Sequence, residues 1–332
     1  MVMDESARAS TAELDATPAP EAPDAGLEDR FLGCLLGLAL ADALGAGHEG
    51  GLAGSLSWKL AGGYSSGLLR WTDDTQMALG LARSLSERGG VDPDHLARTW
   101  AEGMEAWRGY GGGVRKLLLY VKRGADWREV SRCVFPEGSF GNGAAMRAAP
   151  IGLFYHRDAQ GLRRAAEAAS RITHAHPLGI EGGVLIARAV ALALQCRERF
   201  DPAAFLTELH GFSEYAEYRS RLEIARAWLG REPSLADVRR KLGSSVVAHR
   251  SAVTAVYAFC RFPDDFLSMV RFICDLGGDT DTIGAMAGGI FGARLGREPL
   301  PPQPLGKLEA RAEIEGLARR LYQLSVSLRS DR

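Results

Sequence analysis

From Glu28 onward, apolar residues recur along the chain at steps of three and four. Leu81, Leu85, Leu96, Trp100, Met104 and Trp107 form one such series, and Leu185, Ile186, Ala189 and Val190 another. Leu222, Ile224, Ala225 and Trp228 follow, then Leu308, Ile314, Leu317 and Leu321. A period near 3.6 predicts amphipathic helices. Alternating β-branched runs are nearly absent. Ser244–Val247 is the best strand candidate, and it flows into the helix-like stretch Ala252–Cys260. Glycine pairs and triplets punctuate the series at 89–90, 111–113, 182–183 and 277–278. No repeat of fixed period appears. The pattern predicts an all-α, single-domain bundle of many short helices over residues 28–328. Residues 1–27 stand apart: alanine-rich, acidic, and carrying Pro18, Pro20 and Pro23. Such a segment buries too little apolar surface to offset its ordering entropy, so a disordered tail is expected.

Composition narrows the function classes. The chain has 332 residues, 46% of them apolar and 24% charged, with a formal charge of -1. That balance gives no electrostatic basis for binding nucleic acid. The apolar stretch Phe31–Ala41 is ended by Asp42, short of the ~20 residues a membrane span needs. No secretory signal opens the chain. Five scattered cysteines, never spaced C-x-x-C, point to a reducing compartment and against zinc or a disulfide framework. A cytoplasmic location is expected, with no membrane partner.

Two motif matches lack their context. Residues 45–50 fit G-x-G-x-x-G, but a helical pattern precedes them where a dinucleotide site needs a strand. Gly63–Gly67 fits G-x-S-x-G without the strand–turn–helix setting of a hydrolase elbow.

The chemistry concentrates in two acidic clusters far apart in sequence. Trp71-Thr72-Asp73-Asp74-Thr75-Gln76-Met77 is the first, and Gly277-Gly278-Asp279-Thr280-Asp281-Thr282-Ile283-Gly284 the second. Each opens a predicted helix, so N-capping is one reading. Capping needs a single oxygen, however, and each cluster brings two carboxylates plus hydroxyls beside strongly apolar sequence. Like charges buried together are costly unless a cation neutralises them. Carboxylate and hydroxyl oxygens suit Mg²⁺, with Mn²⁺ as a substitute. Four carboxylates exceed what one Mg²⁺ takes from protein, which favours two ions.

A third segment, Gly138-Ser139-Phe140-Gly141-Asn142-Gly143-Ala144-Ala145-Met146-Arg147, is a glycine-rich turn leading into a helix over 144–153, kinked at Pro150. Backbone N–H groups at such a turn suit phosphate, and Phe140 offers a face for a base. An Asn-Gly turn before a packed helix is the plainer reading. Asn142 is the sole asparagine of the chain, which points to a positional need. Arg147 reads as an internal ion-pair partner. His174 reads more readily as a hydrogen-bonded structural residue than as a functional one, and Glu49 equally as a solvated or a functional carboxylate.

Taken in order, Ala41-Asp42-Ala43-Leu44-Gly45 with Glu49, Thr72–Met77, Gly141–Arg147, Thr173-His174 and Gly277–Ile283 resemble the ADP-ribosylglycohydrolase family. The resemblance runs from about Phe31 to Gly296. It implies an all-α fold with a binuclear Mg²⁺ centre and hydrolysis of the bond joining ADP-ribose to a modified protein. By the same resemblance, Thr72, Asp73 and Asp74 would ligate metal from one helix start, and Asp279, Asp281 and Thr282 from the other. Gly138, Ser139, Phe140, Gly141, Asn142 and Gly143 would hold the pyrophosphate and adenosine of ADP-ribose. His174 would touch the phosphate–ribose region, and Glu49 with Asp279 would serve catalysis. Ala41 departs from the glycine many members carry there. Three other readings stay open: a hydrolase of a free ADP-ribose derivative such as an ester, a non-catalytic ADP-ribose binder, and a dinucleotide-dependent oxidoreductase built on residues 45–50.

Overall fold

In the computed structural model of the chain, residues 25–49, 58, 67–196 and 199–330 are described. The expected tail falls almost wholly outside them, as does most of the Gly63–Gly67 match. Seventeen α-helices are present among the described residues, with no named strand. The Ser244–Val247 candidate contributes one isolated antiparallel bridge, between Gly141 and Val247. The first helix begins at Ala25, three residues earlier than the compositional boundary, and Leu27 is already buried.

Two helices form the spine, Ala25–Gly45 and Thr280–Leu295. Both are buried almost all round, so neither shows the one-sided apolar stripe of a surface helix. Their contact is a seam of small residues four apart: Gly33, Gly37, Ala41 and Gly45 on one side, Gly284, Gly288, Gly292 and Gly296 on the other. A Cβ on Gly45 would lie 2.6 Å from the Thr280 carbonyl oxygen and 2.7 Å from Asp281 Cα. A Cβ on Gly37 would overlap the Gly288 carbonyl oxygen. Backbone therefore meets backbone, and no side chain separates the C-terminal end of the first helix from the N-terminal end of the second. That closeness brings Asp42 to Asp281.

The remaining helices pack around this spine. Pro177–Gln195 is the one described helix long and apolar enough to cross a membrane, but it lies in the core with 78% of its apolar window buried. Two expected helices differ in detail. The series ending at Trp107 breaks earlier: Pro93–Gly103 is helical, and Trp107 falls in a separate 3₁₀ turn, Ala106–Arg108. The stretch 144–153 is two helices, Gly143–Met146 and Ala149–Phe154, with Pro150 in the first turn of the second. Proline cannot donate the backbone hydrogen bond that would continue the first helix.

Candidate metal centre and substrate cavity

The two acidic clusters meet. Thr72 precedes the helix Asp73–Arg88, and its hydroxyl accepts the Asp74 N–H as an N-cap. Asp279 precedes Thr280–Leu295 but makes no capping bond. Its carboxylate instead accepts from the Asn142 amide, which also donates to Ser251 Oγ at 3.0 Å. The capping reading thus holds for Thr72 and fails for Asp279. Across the clusters, Thr282 Oγ1 donates to Asp74 at 3.1 Å. Gly277 and Gly278 both have positive φ, +67° and +90°, in the tight entry to this helix, and the Asp279 N–H donates to the Ser244 carbonyl at 2.9 Å. Only glycine adopts such consecutive left-handed conformations cheaply.

At the centre lies a residue absent from the expected ligand set. Asp42 is fully buried, and both its oxygens are engaged. It accepts from the Thr72 N–H at 3.0 Å, Thr72 Oγ1 at 2.9 Å, the Thr75 N–H at 3.1 Å and Thr75 Oγ1 at 2.5 Å. One oxygen from each of Asp42, Asp74 and Asp281 lies within 4.8 Å of the others, as do oxygens of Glu49, Asp279 and Asp281. The sequence did carry a signal for Asp42: it is the lone charge in the apolar run from Phe31 to Ala46.

Burial raises every one of these carboxyls, and mutual repulsion adds to it for Asp73, Asp74, Asp279 and Asp281. Asp42 and Asp279 are pushed up to about 6, chiefly by burial. Asp73 is pushed to about 8 by burial and the neighbouring Asp42 charge. Asp74 and Asp281 lie well above the carboxylate range, and Glu49 is raised by burial. Among the described residues no basic side chain forms an ion pair with any of them. Such a set is unstable as carboxylates at neutral pH and calls for a cation. All-oxygen donors without His or Cys fit a hard divalent ion.

A cavity of about 520 Å³ opens onto these groups. Glu49, Thr72, Asp73, Asp74, Asp279, Asp281 and Thr282 line it together with Ser139, Gly141, Asn142, Gly143 and His174, and Asn142 touches the acidic group directly through Asp279. Gly138 and Phe140 do not line it. Gly138 turns at φ +79° against the Ala175–His176 backbone. The Phe140 ring packs at a steep angle to His176, centroids 5.5 Å apart, and is half exposed. Asn142 is not the αL residue of an Asn-Gly turn, since its φ is −84°; its positional need is the Asp279 contact. Arg147 is buried without a carboxylate partner, so the ion-pair expectation fails. It donates to Thr173 Oγ1 at 2.6 Å and sits 4.1 Å over the Trp100 ring. Trp58, Trp107, Arg108 and Arg147 are also in the lining, with Arg108 over the Trp107 ring at 4.3 Å. Their apolar-periodic setting gave no reason to place Trp107 at a site.

Fold and site together define an all-α hydrolase with a carboxylate-lined, cation-demanding cavity. Residues 23–330 match the ADP-ribosylglycohydrolase family, and the chain belongs to it. The chain is 34% identical over 343 residues to ADP-ribosylhydrolase ARH3 of Mus musculus, covering 89% of this chain and 91% of the relative. It is 30% identical over 308 residues to the ADP-ribosyl-dinitrogen reductase glycohydrolase of Rhodospirillum rubrum, covering 87% and 93%. A solved ADP-ribosylglycohydrolase-related protein complex superposes with a TM-score of 0.69 at 30% identity, covering 90% of this chain and 99% of that one. The enzyme is thus a glycosidase-type hydrolase of that family. The oxidoreductase reading of residues 45–50 falls: those residues follow a helix, not a strand.

Proposed function

We propose that the enzyme removes ADP-ribose from modified protein side chains in a reaction that depends on two Mg²⁺ ions, with Mn²⁺ as a substitute. The observation supporting it most directly is the meeting of Thr72–Asp74 with Asp279–Thr282 in one cavity, with no basic side chain among the described residues in ion-pair contact with them. Thr72, Asp73, Asp74, Asp279, Asp281 and Thr282 would hold the ions, with Asp42 orienting Thr72 and Thr75 from behind. When bound, the ions would neutralise the carboxylates and supply Lewis-acid charge opposite the substrate's ribose oxygens.

The chain's own residues divide the remaining work. Ser139, Gly141, Asn142 and Gly143 line the same cavity and offer backbone and side-chain polar atoms to the pyrophosphate. Asn142 holds Asp279 in place through its amide. Glu49 stands at the cavity mouth with its carboxyl hydrogen-bonded to Asp281. That bond lowers Glu49 and leaves the shared proton on Asp281, so Glu49 is the accepting carboxylate in metal-free protein; with Asp281 engaged by a cation, Glu49 is free to take up a proton and pass it to the departing side chain. Proton donation of this kind contributes ~10²–10⁴-fold. The transition state is oxocarbenium-like, as in other glycoside hydrolyses.

The test is release of ADP-ribose from arginine-linked and serine-linked proteins, assayed side by side with a free ADP-ribose ester. Release from protein that is abolished by Asp73→Asn and by Asp279→Asn, with the fold intact, is expected. Hydrolysis of the ester alone would replace the protein substrate with a metabolite. ADP-ribose binding without any turnover would return the chain to a binding role.

A further inference from the structure

His174 lines the cavity, yet what it offers a ligand depends on which ring nitrogen carries the proton. The hydrogen-bond network behind it decides this. Arg147 is 1% exposed, and its guanidinium donates to Thr173 Oγ1 at 2.6 Å. A guanidinium has no acceptor, so the Thr173 oxygen is a receiver in that bond. The same oxygen lies 2.7 Å from His174 Nδ1. Thr173 is fully buried, and among the described residues no other acceptor lies within reach of its hydroxyl proton. That proton therefore points to Nδ1, and Nδ1 must be unprotonated to receive it. The ring's remaining proton then resides on Nε2.

We propose that Arg147 is a positioning residue: acting through the Thr173 hydroxyl, it fixes His174 as the neutral tautomer whose Nε2–H is offered to the substrate. The direction of that N–H follows from the packing. Nε2 faces the glycine turn, where a Cβ on Gly143 would sit 3.1 Å away and one on Gly141 3.5 Å. Both glycines line the cavity. Any side chain there would cover Nε2, which accounts for glycine at both positions. A doubly protonated ring is excluded by the same network, because Thr173 would then receive two donors and have nowhere to send its own proton. The ring's surroundings agree: burial and the Arg147 charge hold His174 down to about 3, so it stays neutral at physiological pH. In this arrangement His174 gives one neutral hydrogen bond to an acceptor oxygen of the phosphate–ribose region, and no proton moves.

The identity of that oxygen rests on the function proposed above, whereas the tautomer does not, and the experiment separates them. Nitrogen-15 spectra of histidine-labelled full-length protein, with His174 assigned by its loss in His174→Gln, report the tautomer directly. Wild type and Thr173→Ser should show a single Nε2–H form. Thr173→Val and Arg147→Met should show a mixture or the Nδ1–H form. Should Arg147→Met not fold, Thr173→Val decides the matter, since it keeps shape and loses only the hydroxyl. Calorimetry with ADP-ribose should find Thr173→Val binding about three- to tenfold weaker, the loss of one neutral hydrogen bond, with Thr173→Ser near wild type. In turnover, KM should rise by a larger factor than kcat falls. An Nδ1–H ring in wild type, or a Thr173→Val spectrum identical to wild type, overturns the assignment. Absence of ADP-ribose release by wild type would instead sink the proposed function while leaving the tautomer decided.

Discussion

Replacing Asp42 with asparagine tests whether the buried carboxylate serves the fold or the cation. Asp42 receives two backbone N–H groups and two hydroxyls on its two oxygens. Asparagine keeps one oxygen, so its NH₂ must face one threonine. That hydroxyl can rotate to accept, but the backbone N–H beside it cannot, and an unsatisfied buried donor costs ~1–3 kcal/mol. Opposing this, the carboxyl is pushed up to about 6, some two units above its ordinary value. At neutral pH the charge thus weighs against folding by about 3 kcal/mol, at roughly 1.4 kcal/mol per unit. The two effects nearly cancel in metal-free protein. They do not cancel with a cation present. A divalent ion among oxygens lying within 4.8 Å of one another loses several kcal/mol of attraction with one charge removed, at an effective dielectric of about 20. Thermal melts should therefore give Asp42→Asn a metal-free Tm within about 5 °C of wild type, together with loss of most of the Mg²⁺-induced rise. A full Mg²⁺ response would refute the reasoning. So would a metal-free Tm lower by 15 °C or more, which would make Asp42 a structural residue alone.

Gly37→Ala should destabilise the protein by about 1–3 kcal/mol in chemical denaturation, although alanine favours helix by ~1 kcal/mol elsewhere, because its Cβ would press the first helix off the Gly288 carbonyl; a more stable variant would contradict the seam. Metal-free protein should lose stability as pH rises from about 4 to 8, because the folded carboxyls, raised to about 6 for Asp42 and Asp279 and about 8 for Asp73, hold protons that the unfolded chain has released. The Mg²⁺-induced rise in Tm should accordingly be larger at pH 8 than at pH 5.5, and scanning calorimetry at both values reads it. Glu49→Gln should lower kcat by ~10²–10⁴-fold while leaving the Mg²⁺ response of Tm near wild type, as single-turnover kinetics and melts would show.

Helical periodicity and the two Asp/Thr clusters were legible because each is local: the periods fix helices, and the oxygen donors announce a hard cation. What escaped the sequence is what depends on pairing. Asp42 reads as the end of an apolar run until the glycine seam is known to press it against Asp281. The four-residue spacing of Gly33, Gly37, Ala41 and Gly45 is plain in the chain, yet it acquires meaning only once Gly284, Gly288 and Gly292 are opposite. Trp107 looked like one more apolar step of a helix because periodicity does not mark where Gly103 ends it. Phe140 reads as a base platform because an aromatic in a glycine turn has the right shape; that it packs against His176, outside the cavity lining, depends on a segment more than thirty residues on. Arg147 suggested a salt bridge, and its actual partners, Thr173 in the turn after one helix and the Trp100 ring on another, are remote in sequence.

Catalysis is expected to require divalent ions at the junction of the two clusters. Metal-stripped enzyme should release no ADP-ribose from modified protein and should regain full release as two equivalents of Mg²⁺ are titrated back, with metal analysis showing two ions per chain. Undiminished release by protein shown to be metal-free would contradict it.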